Sequence, residues 1–288
     1  MKRPEVSFHT AGRRVEYGGS YIIVDQVYVQ YIPPTHPPSA RTTPILFVHG
    51  GGLTGYSWEA NPGLRPGWAP LASRPPHSFA VYVLDCVDSG RSMRAPDALR
   101  SVEIEHRTAA EYWDMFRFGP SEGFEKRQCY PDSQFPAAEA FDWLINSQSA
   151  RRHGEEQYSV EVKGIVEVLK TLGKCHVIAH SKGAALSVLA ANQVPHLIDK
   201  LVLLEPAARL GNKVLTQGFS PALLIWGDHM SESKIWTRIR ETNAELSQAQ
   251  QVETWDLPVM GIRGNSHFLI NDNNSEQIME LVYAWLKK

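Results

Sequence analysis

Six short apolar runs divide the chain, and each run is apolar at nearly every position rather than at alternate ones. They span residues 45–48, 79–84, 177–179, 201–204, 222–226 and 259–262. Continuous runs of this length are typical of strands buried on both faces of a parallel sheet. Apolar residues at helical spacing lie between or after the runs, as at 162–169 and 278–285. This alternation predicts an α/β fold with a mostly parallel central sheet.

Other segments do not follow this alternation of strand and helix patterns. Residues 21–31 are rich in β-branched and aromatic side chains and follow Gly18 and Gly19, which predicts one or two antiparallel strands ahead of the sheet. The proline-rich stretch 33–38 is predicted to be a stiff surface connection. The stretch 93–158 is far longer than an ordinary connection between a strand and a helix. We therefore expect a core domain formed by 1–92 and 159–288, with 93–158 inserted as a cap.

The predicted cap carries many aromatic residues between proline and glycine breaks. This composition predicts short helices packed as a lid over a pocket, rather than a disordered linker. Four of these aromatic residues are candidate substrate contacts, namely Trp113, Phe116, Phe118 and Trp143. For any one of them, packing of the cap against the core is an equally good interpretation.

Charge and composition narrow the class of partner. The 288 residues include 29 Lys and Arg against 31 Asp and Glu, a formal net charge of −2. This balance gives no electrostatic reason to expect a nucleic acid or an anionic membrane as partner, so we expect a small-molecule ligand. The three cysteines have no CxxC spacing, and we expect neither a disulfide framework nor a metal site. Without a signal-peptide pattern or a long apolar stretch, a cytoplasmic protein is expected.

Polar residues that can take part in catalysis or binding follow the predicted strands. In open α/β sheets, ligands bind beyond the carboxyl ends of the strands, so these residues are expected to converge. They are His49-Gly50-Gly51-Gly52, Asp85, Ser181, Glu205, Asp228 and His267.

Two motifs, His49-Gly50-Gly51-Gly52 and the segment around Ser181, make the chain resemble the α/β-hydrolase superfamily from residue 45 onward. Ala179-His180-Ser181-Lys182-Gly183 is similar to its nucleophile elbow G-x-S-x-G, with alanine in place of the first glycine. The resemblance implies the α/β-hydrolase fold, with helices on both sheet faces and an inserted helical cap. It also implies that Ser181 is the nucleophile and that an oxyanion hole is formed by the backbone N–H groups of Lys182 and of Gly51 or Gly52. A plain flexible turn is the alternative for the glycine stretch. We expect the Lys182 side chain to be solvated, with the binding of an acidic substrate as the alternative.

The resemblance also implies a base and an acid. His267 lies after the last predicted strand, where the superfamily places its base; His180 and His49 compete, but His49 is expected to brace the glycine loop by a hydrogen bond. Both Glu205 and Asp228 occur in the required order between serine and histidine. A subgroup of serine esterases places a glutamate where Glu205 stands. The chain is similar to that subgroup in HGGGLTGYSW, Arg91-Ser92, EYWDMFRFG and Glu205-Pro206. Glu205 is therefore preferred, and Asp228 remains the alternative acid.

The resemblance implies a cofactor-independent serine hydrolase that cleaves an ester or lactone with an apolar portion through an acyl-enzyme. Cleavage of amides or carbon–carbon bonds, acyl transfer and cyclisation would use the same residues. A non-catalytic small-molecule receptor on the same fold is the competing class. The aromatic cap is also a candidate contact for a homodimer.

Overall fold

The computed structural model describes residues 3–36, 42–207, 220–249 and 251–288. Its strands, in chain order, are β1 (Phe8–Tyr17), β2 (Ser20–Ile32), β3 (Ile45–Val48), β4 (Ala60–Asn61), β5 (Arg65–Pro66), β6 (Val81–Asp85), β7 (Cys175–His180), β8 (Ile198–Leu204), β9 (Ala222–Trp226) and β10 (Val252–Asp256). β4 and β5 form a small hairpin of their own. The others form one sheet in the order β1-β2-β6-β3-β7-β8-β9-β10.

The sheet is parallel except at the edge formed by β1 and β2. β1 and β2 pair as an antiparallel hairpin around Gly18 and Gly19, whose φ angles of 57° and 76° suit a tight turn. β2 then pairs antiparallel with β6, and every later pair is parallel. The predicted leading strands and the mostly parallel sheet are therefore confirmed.

Five of the six apolar runs lie in or overlap the buried strands, but the prediction of a strand at 259–262 is wrong. Those residues form a turn, in which Val259 is 83% exposed and Gly261 has a φ of 83°. The last strand is β10, and its one strand partner within the described ranges is β9. As an edge strand it is half-exposed and has the mixed sequence VETWD, so a search for continuous apolar runs passes over it.

The helices are α1 (Tyr56–Glu59), α2 (Trp68–Ala72), α3 (Ala109–Phe116), α4 (Ala137–Asn146), α5 (Glu155–Leu172), α6 (Lys182–Ala191), α7 (Lys234–Thr242), α8 (Ala244–Gln248) and α9 (Ser275–Leu286). Short 3₁₀ turns occur at Asp97–Leu99, Ser121–Lys126, Pro195–Leu197 and Met230–Glu232. The two helical patterns seen in the sequence fall within α5 and α9.

Helices cover both faces of the sheet. Leu46 and Val48 of β3 belong to one hydrophobic cluster with α5 and α6, whereas Ile45 and Phe47 belong to a second cluster with α2 and α9. Alternate residues of a strand point to opposite faces, so the two clusters are the two cores of a three-layer α/β fold.

The stretch between β6 and α5 contains α3, α4 and two 3₁₀ turns. Most of its aromatic side chains belong to, or pack against, the same hydrophobic cluster as sheet residues such as Ile178 and Ile225. α5 begins at Glu155, four residues before the core was predicted to resume at 159. Residues 33–36 have no regular secondary structure, and the rest of the predicted stiff connection, 37–38, lies outside the described residues.

Two remaining expectations concern the cysteines and the membrane. Cys86 and Cys175 are buried thiols at strand boundaries, and Cys129 is half-buried; all three are free. Burial raises the pKa of Cys175 to about 12 and that of Cys86 well above its usual value. In the described ranges, no helix combines the length and the apolar character needed to cross a membrane.

Candidate active site

Ser181 lies on a sharp turn between β7 and α6. Its φ of 56° and ψ of −123° are a strained backbone conformation for a residue with a side chain. Small neighbours make this turn possible: a Cβ on Gly50 would lie 3.0 Å from the Ser181 Cβ, and one on Gly183 would collide with the His49 carbonyl. Alanine at 179 is accommodated inside β7, so the departure from the usual glycine leaves the turn intact.

The turn brings Ser181 into a hydrogen-bonded chain with two residues distant in sequence. The Ser181 Oγ lies 2.8 Å from the His267 Nε2, and the His267 Nδ1 lies 2.6 Å from the Glu205 Oε2. All three residues are buried. Because an ionised carboxylate only accepts hydrogen bonds, Nδ1 carries the proton and Nε2 is free to accept from the serine hydroxyl.

Glu205 is held from three directions. Its Oε1 accepts hydrogen bonds from the Arg117 Nη2 at 2.6 Å and from the Gly227 N–H at 2.7 Å, while Oε2 faces His267. A side chain at 227 would collide with Oε1, so glycine is required there. Burial opposes ionisation of Glu205, but Arg117 and the hydrogen bond from His267 outweigh it and lower the pKa to about 2. The carboxylate is therefore ionised at neutral pH.

Asp228, the alternative acid, has different partners. Its Oδ1 accepts from the His229 N–H at 2.8 Å and its Oδ2 from the Gly264 N–H at 2.9 Å. It thus ties the turn after β9 to the loop that carries the histidine. The structure brings Glu205, and not Asp228, against His267.

The His267 loop is fastened by residues that the sequence analysis missed. The Asp272 carboxylate accepts from the Ser266 N–H and hydroxyl and from the Asn265 side chain, and burial raises the pKa of Asp272 to about 6. The His267 N–H donates to the Phe116 carbonyl at 2.9 Å. No periodicity or motif marks Asp272, since its role depends only on how the loop folds back.

Aromatic rings cover the imidazole of His267. The Trp236 ring centroid lies 4.2 Å from that of His267, and the Phe116 ring lies at 5.2 Å. Burial lowers the pKa of His267 to about 4, although Glu205 acts in the opposite direction. The histidine is therefore neutral, as a base must be, over most of the pH range.

His180 and His49, the other candidates for the base, make hydrogen bonds that support the site. The His180 Nε2 donates to the His267 carbonyl at 2.7 Å, and burial lowers the pKa of His180 to about 3. The His49 Nε2 accepts from the Cys86 N–H at 2.9 Å while its Nδ1 donates to the Gly50 carbonyl at 2.8 Å. The expectation that His49 braces the glycine loop is confirmed.

The glycine loop lies between the nucleophile turn and the inserted segment. A Cβ on Gly51 would lie 3.1 Å from the Lys182 Cδ, and one on Gly52 would collide with the Tyr112 hydroxyl. The Gly52 carbonyl accepts from the Tyr112 hydroxyl at 3.2 Å and the Ser149 N–H at 2.9 Å. Gly51 is thus next to the elbow, whereas Gly52 faces the insertion.

The prediction of a solvated Lys182 side chain is wrong. The residue is 7% exposed, and its Nζ forms a 2.7 Å ion pair with Glu161 on α5 and lies 5.0 Å from the Tyr158 ring centroid. With its charge paired in this way, Lys182 also offers little support for the alternative role in binding an acidic substrate. No motif or periodicity marks the pair, because it depends on the packing of α5 beside α6.

The four predicted substrate contacts separate into different environments. Phe116 contacts the His267 ring. Trp113 and Phe118 are fully buried and pack against each other and against Phe141. Trp143 is half-buried and donates to the Tyr56 hydroxyl at 3.2 Å. Only Phe116 of the four is seen against the triad, while Trp113 and Phe118 pack the interior of the insertion.

One group of potential metal ligands occurs among the described residues. Side-chain atoms of Asp132, Asp228 and His229 lie within 4.8 Å of one another. Both Asp228 oxygens already accept backbone hydrogen bonds, and Asp132 is exposed. The group therefore has a structural explanation without a metal ion.

Known proteins resemble this chain in sequence and in fold. The profile of a family described as the alpha/beta hydrolase fold matches residues 43–269. "Probable secreted lipase phiG" of a fungus (Fungal sp. strain ATCC 74256) is 24% identical over 98% of this chain and 93% of its own. A solved structure of a novel bacterial esterase is 25% identical, with a TM-score of 0.85 over 98% of this chain and 94% of its own. A predicted CIB-like hydrolase from Thermoplasma acidophilum, 15% identical with a TM-score of 0.52 over 96% and 97% of the two chains, shares the fold alone. The fungal relative is described as secreted, so this likeness does not support the expected cytoplasmic location.

Proposed function

The chain belongs to the alpha/beta hydrolase fold family, and from this premise we propose that it is a carboxylic ester hydrolase with Ser181 as nucleophile, His267 as base and Glu205 as the orienting acid. The observation that carries the proposal is the unbroken hydrogen-bonded chain from the Ser181 Oγ through His267 to Glu205. Its geometry meets the requirement that nucleophile and base lie within hydrogen-bond reach. The esterase and lipase among the similar proteins support the same reaction class.

In the proposed reaction the Ser181 oxygen attacks the ester carbonyl carbon while His267 takes the hydroxyl proton on Nε2. Collapse of the tetrahedral intermediate breaks the bond to the alcohol, which leaves with that proton, and an acyl-enzyme remains. Water, deprotonated by the same histidine, then releases the acid and regenerates the serine. Glu205 stays ionised throughout and stabilises the imidazolium.

The developing negative charge on the carbonyl oxygen needs two preorganised donors. We assign them to the backbone N–H groups of Lys182 and of Gly51. Gly51 is preferred over Gly52 because it packs against Lys182 at the elbow, whereas Gly52 faces the insertion, where its carbonyl accepts from Tyr112 and Ser149. The Lys182 side chain packs against Gly51, and its ion pair with Glu161 holds that side chain in place.

The proposed substrate is an ester or lactone with an apolar portion. Phe116 and Trp236 place apolar rings against the His267 imidazole, and apolar surroundings of the base favour such a group over a charged one. Cleavage of amides or carbon–carbon bonds would need the same triad, and a substrate screen separates them.

The test is labelling with a fluorophosphonate, which phosphonylates only an activated serine beside a formed oxyanion hole. We expect one adduct per chain, mapped to Ser181, and loss of adduct and of ester turnover by about 10⁶-fold in Ser181→Ala. Ser187→Ala is the matched control, because Ser187 is a buried serine on the same helix, α6. Labelling that persists in Ser181→Ala would refute Ser181 as the nucleophile. A folded wild type that neither reacts nor hydrolyses esters would refute the proposed activity and favour the receptor alternative.

A further inference from the structure

The C-terminal end of α3 is hydrogen-bonded to the triad residues His267 and Glu205 and to Trp236, whose ring lies against His267. Three consecutive residues of the inserted segment make these contacts. The Met115 carbonyl accepts from the Trp236 indole N–H at 2.7 Å, and the Phe116 carbonyl accepts from the His267 N–H at 2.9 Å. Arg117 donates to Glu205 at 2.6 Å through Nη2 and to the Asp228 carbonyl at 2.8 Å through Nε.

The Arg117 side chain is buried as deeply as the triad itself. Arg117 adopts a left-handed backbone conformation, with φ of 56°, as α3 ends, and its guanidinium is 4.7 Å from the Trp236 ring centroid. The side chain is 1% exposed. A buried guanidinium is costly unless it is paired and hydrogen-bonded, and here the pairing carboxylate is Glu205.

This pairing fixes the rotation of the Glu205 carboxylate. Arg117 and the Gly227 N–H both bind Oε1, which leaves Oε2 as the oxygen that faces His267. Since Oε1 is held by two donors, the carboxylate cannot turn about its terminal bond without losing both. The imidazole orientation therefore depends on a residue contributed by the insertion.

We propose that Arg117 is a positioning residue that completes the triad from the inserted segment, so that residues 115–117 are a fixed part of the active site rather than part of a moving lid. The proposal rests on the proposed function. It implies that substrate enters by movement of other parts of the insertion, since displacement of 115–117 would release Glu205, His267 and Trp236 together.

Arg117 also sets the charge around the imidazole. The charged or titratable groups that act on His267 from the surrounding elements are Glu205, Arg117, Arg107 and His180. On its own loop, the Asp272 carboxylate is bound by the neighbouring Ser266 N–H. His180 is neutral, so Glu205 is opposed chiefly by Arg117. Removal of the guanidinium would leave the Glu205 charge free to stabilise the imidazolium, and His267 would then be protonated at a higher pH.

The experiment compares Arg117→Met and Arg117→Lys with a matched control, Arg127→Met. Arg127 lies in the same insertion, also in a left-handed conformation and also over aromatic rings, but away from the triad. For Arg117→Met we expect kcat on a p-nitrophenyl ester to fall about 10²-fold with little change in KM. The acidic limb of kcat/KM should move up by about one pH unit. Arg117→Lys keeps the charge but offers one nitrogen in place of the Nε and Nη2 that bind the Asp228 carbonyl and Glu205, so it should restore the pH profile and only part of kcat.

A folded Arg117→Met enzyme with wild-type kcat and pH profile, or an equal loss in Arg127→Met, overturns the proposal. If Arg117→Met does not fold, Arg117→Lys decides, because wild-type kcat in that variant would equally overturn it. An NMR titration of the His267 ring, assigned with His267→Gln, needs no substrate. A wild type without esterase activity whose His267 pKa still rises in Arg117→Met would refute the proposed function and leave the Arg117 assignment standing.

Discussion

Replacement of Glu205 by glutamine tests which carboxylate serves His267, because it removes one charge and changes one oxygen to an amide. The orientation of that amide is determined by the site. If its NH₂ group occupied the Oε1 position, it would face two donors, the Arg117 Nη2 and the Gly227 N–H. The carbonyl oxygen must therefore take that position, and the NH₂ group must face the His267 Nδ1.

This orientation reverses the histidine tautomer. With an amide donor opposite it, Nδ1 becomes the acceptor and the proton moves to Nε2, which then points a donor at the Ser181 Oγ instead of a lone pair. Loss of the correct tautomer in a serine triad costs about 10⁴-fold in kcat, equivalent to about 5 kcal/mol of transition-state free energy. Arg117 also loses its buried counter-charge, so we expect the free energy of unfolding to fall by about 3–5 kcal/mol.

The assay is kcat/KM on a short-chain p-nitrophenyl ester, with the fluorophosphonate labelling rate as a substrate-independent readout. Circular dichroism and urea denaturation, run in parallel, show whether Glu205→Gln is still folded at the assay temperature. Asp228→Asn is the matched control. It removes a carboxylate that accepts only backbone N–H groups in this region, and we expect less than about a tenfold loss. A folded Glu205→Gln enzyme that is more active than Asp228→Asn would refute the reasoning.

Three further outcomes follow from the geometry. Because burial lowers the pKa of His267 to about 4 and a base must be unprotonated, kcat/KM should stay level as pH falls past the ordinary histidine value of about 6.5 and decline only near pH 4; a midpoint near 6.5 would contradict this. Lys182→Met leaves Glu161 buried and unpaired, so urea denaturation should show a loss of about 3–5 kcal/mol that Glu161→Gln largely restores, and no loss would mean that the pair is solvated. Gly183→Ala places a methyl group against the His49 carbonyl and should reduce kcat/KM far more than it reduces stability, whereas wild-type activity would show that the loop can move aside.

The strands show where pattern reasoning succeeds and where it fails. β3 and β9 are buried on both faces, so their apolar runs match the observed bounds. β10 is an edge strand in which Glu253 and Thr254 are exposed; the apolar run that follows it is an exposed turn. A continuous apolar run reports burial on two faces, and an edge strand does not have that property.

Part of the candidate site could likewise be predicted from strand order, and part depends on packing. The positions of Ser181, Glu205 and Asp228 after β7, β8 and β9 were enough to bring three chemical groups to one edge of the sheet, because the ends of parallel strands meet there. His267 was expected to follow a strand at 259–262, but it reaches the same edge from the loop between β10 and α9. Spacing could not choose between the two carboxylates. That choice depends on the left-handed backbone at Glu205, with φ of 46°, and on the absence of a side chain at Gly227.

The sequence by itself determined the fold class, the elbow that carries Ser181 and the set of groups that can act on it. Periodicity and motif spacing are local properties, and these features depend on local burial and on the order of strands. Only the tertiary structure decided that Glu205 binds His267, that Lys182 is paired with Glu161, and that Arg117 holds the acid. Each of those pairs joins elements far apart in the chain, and close packing between the elements selects one partner for each buried charge.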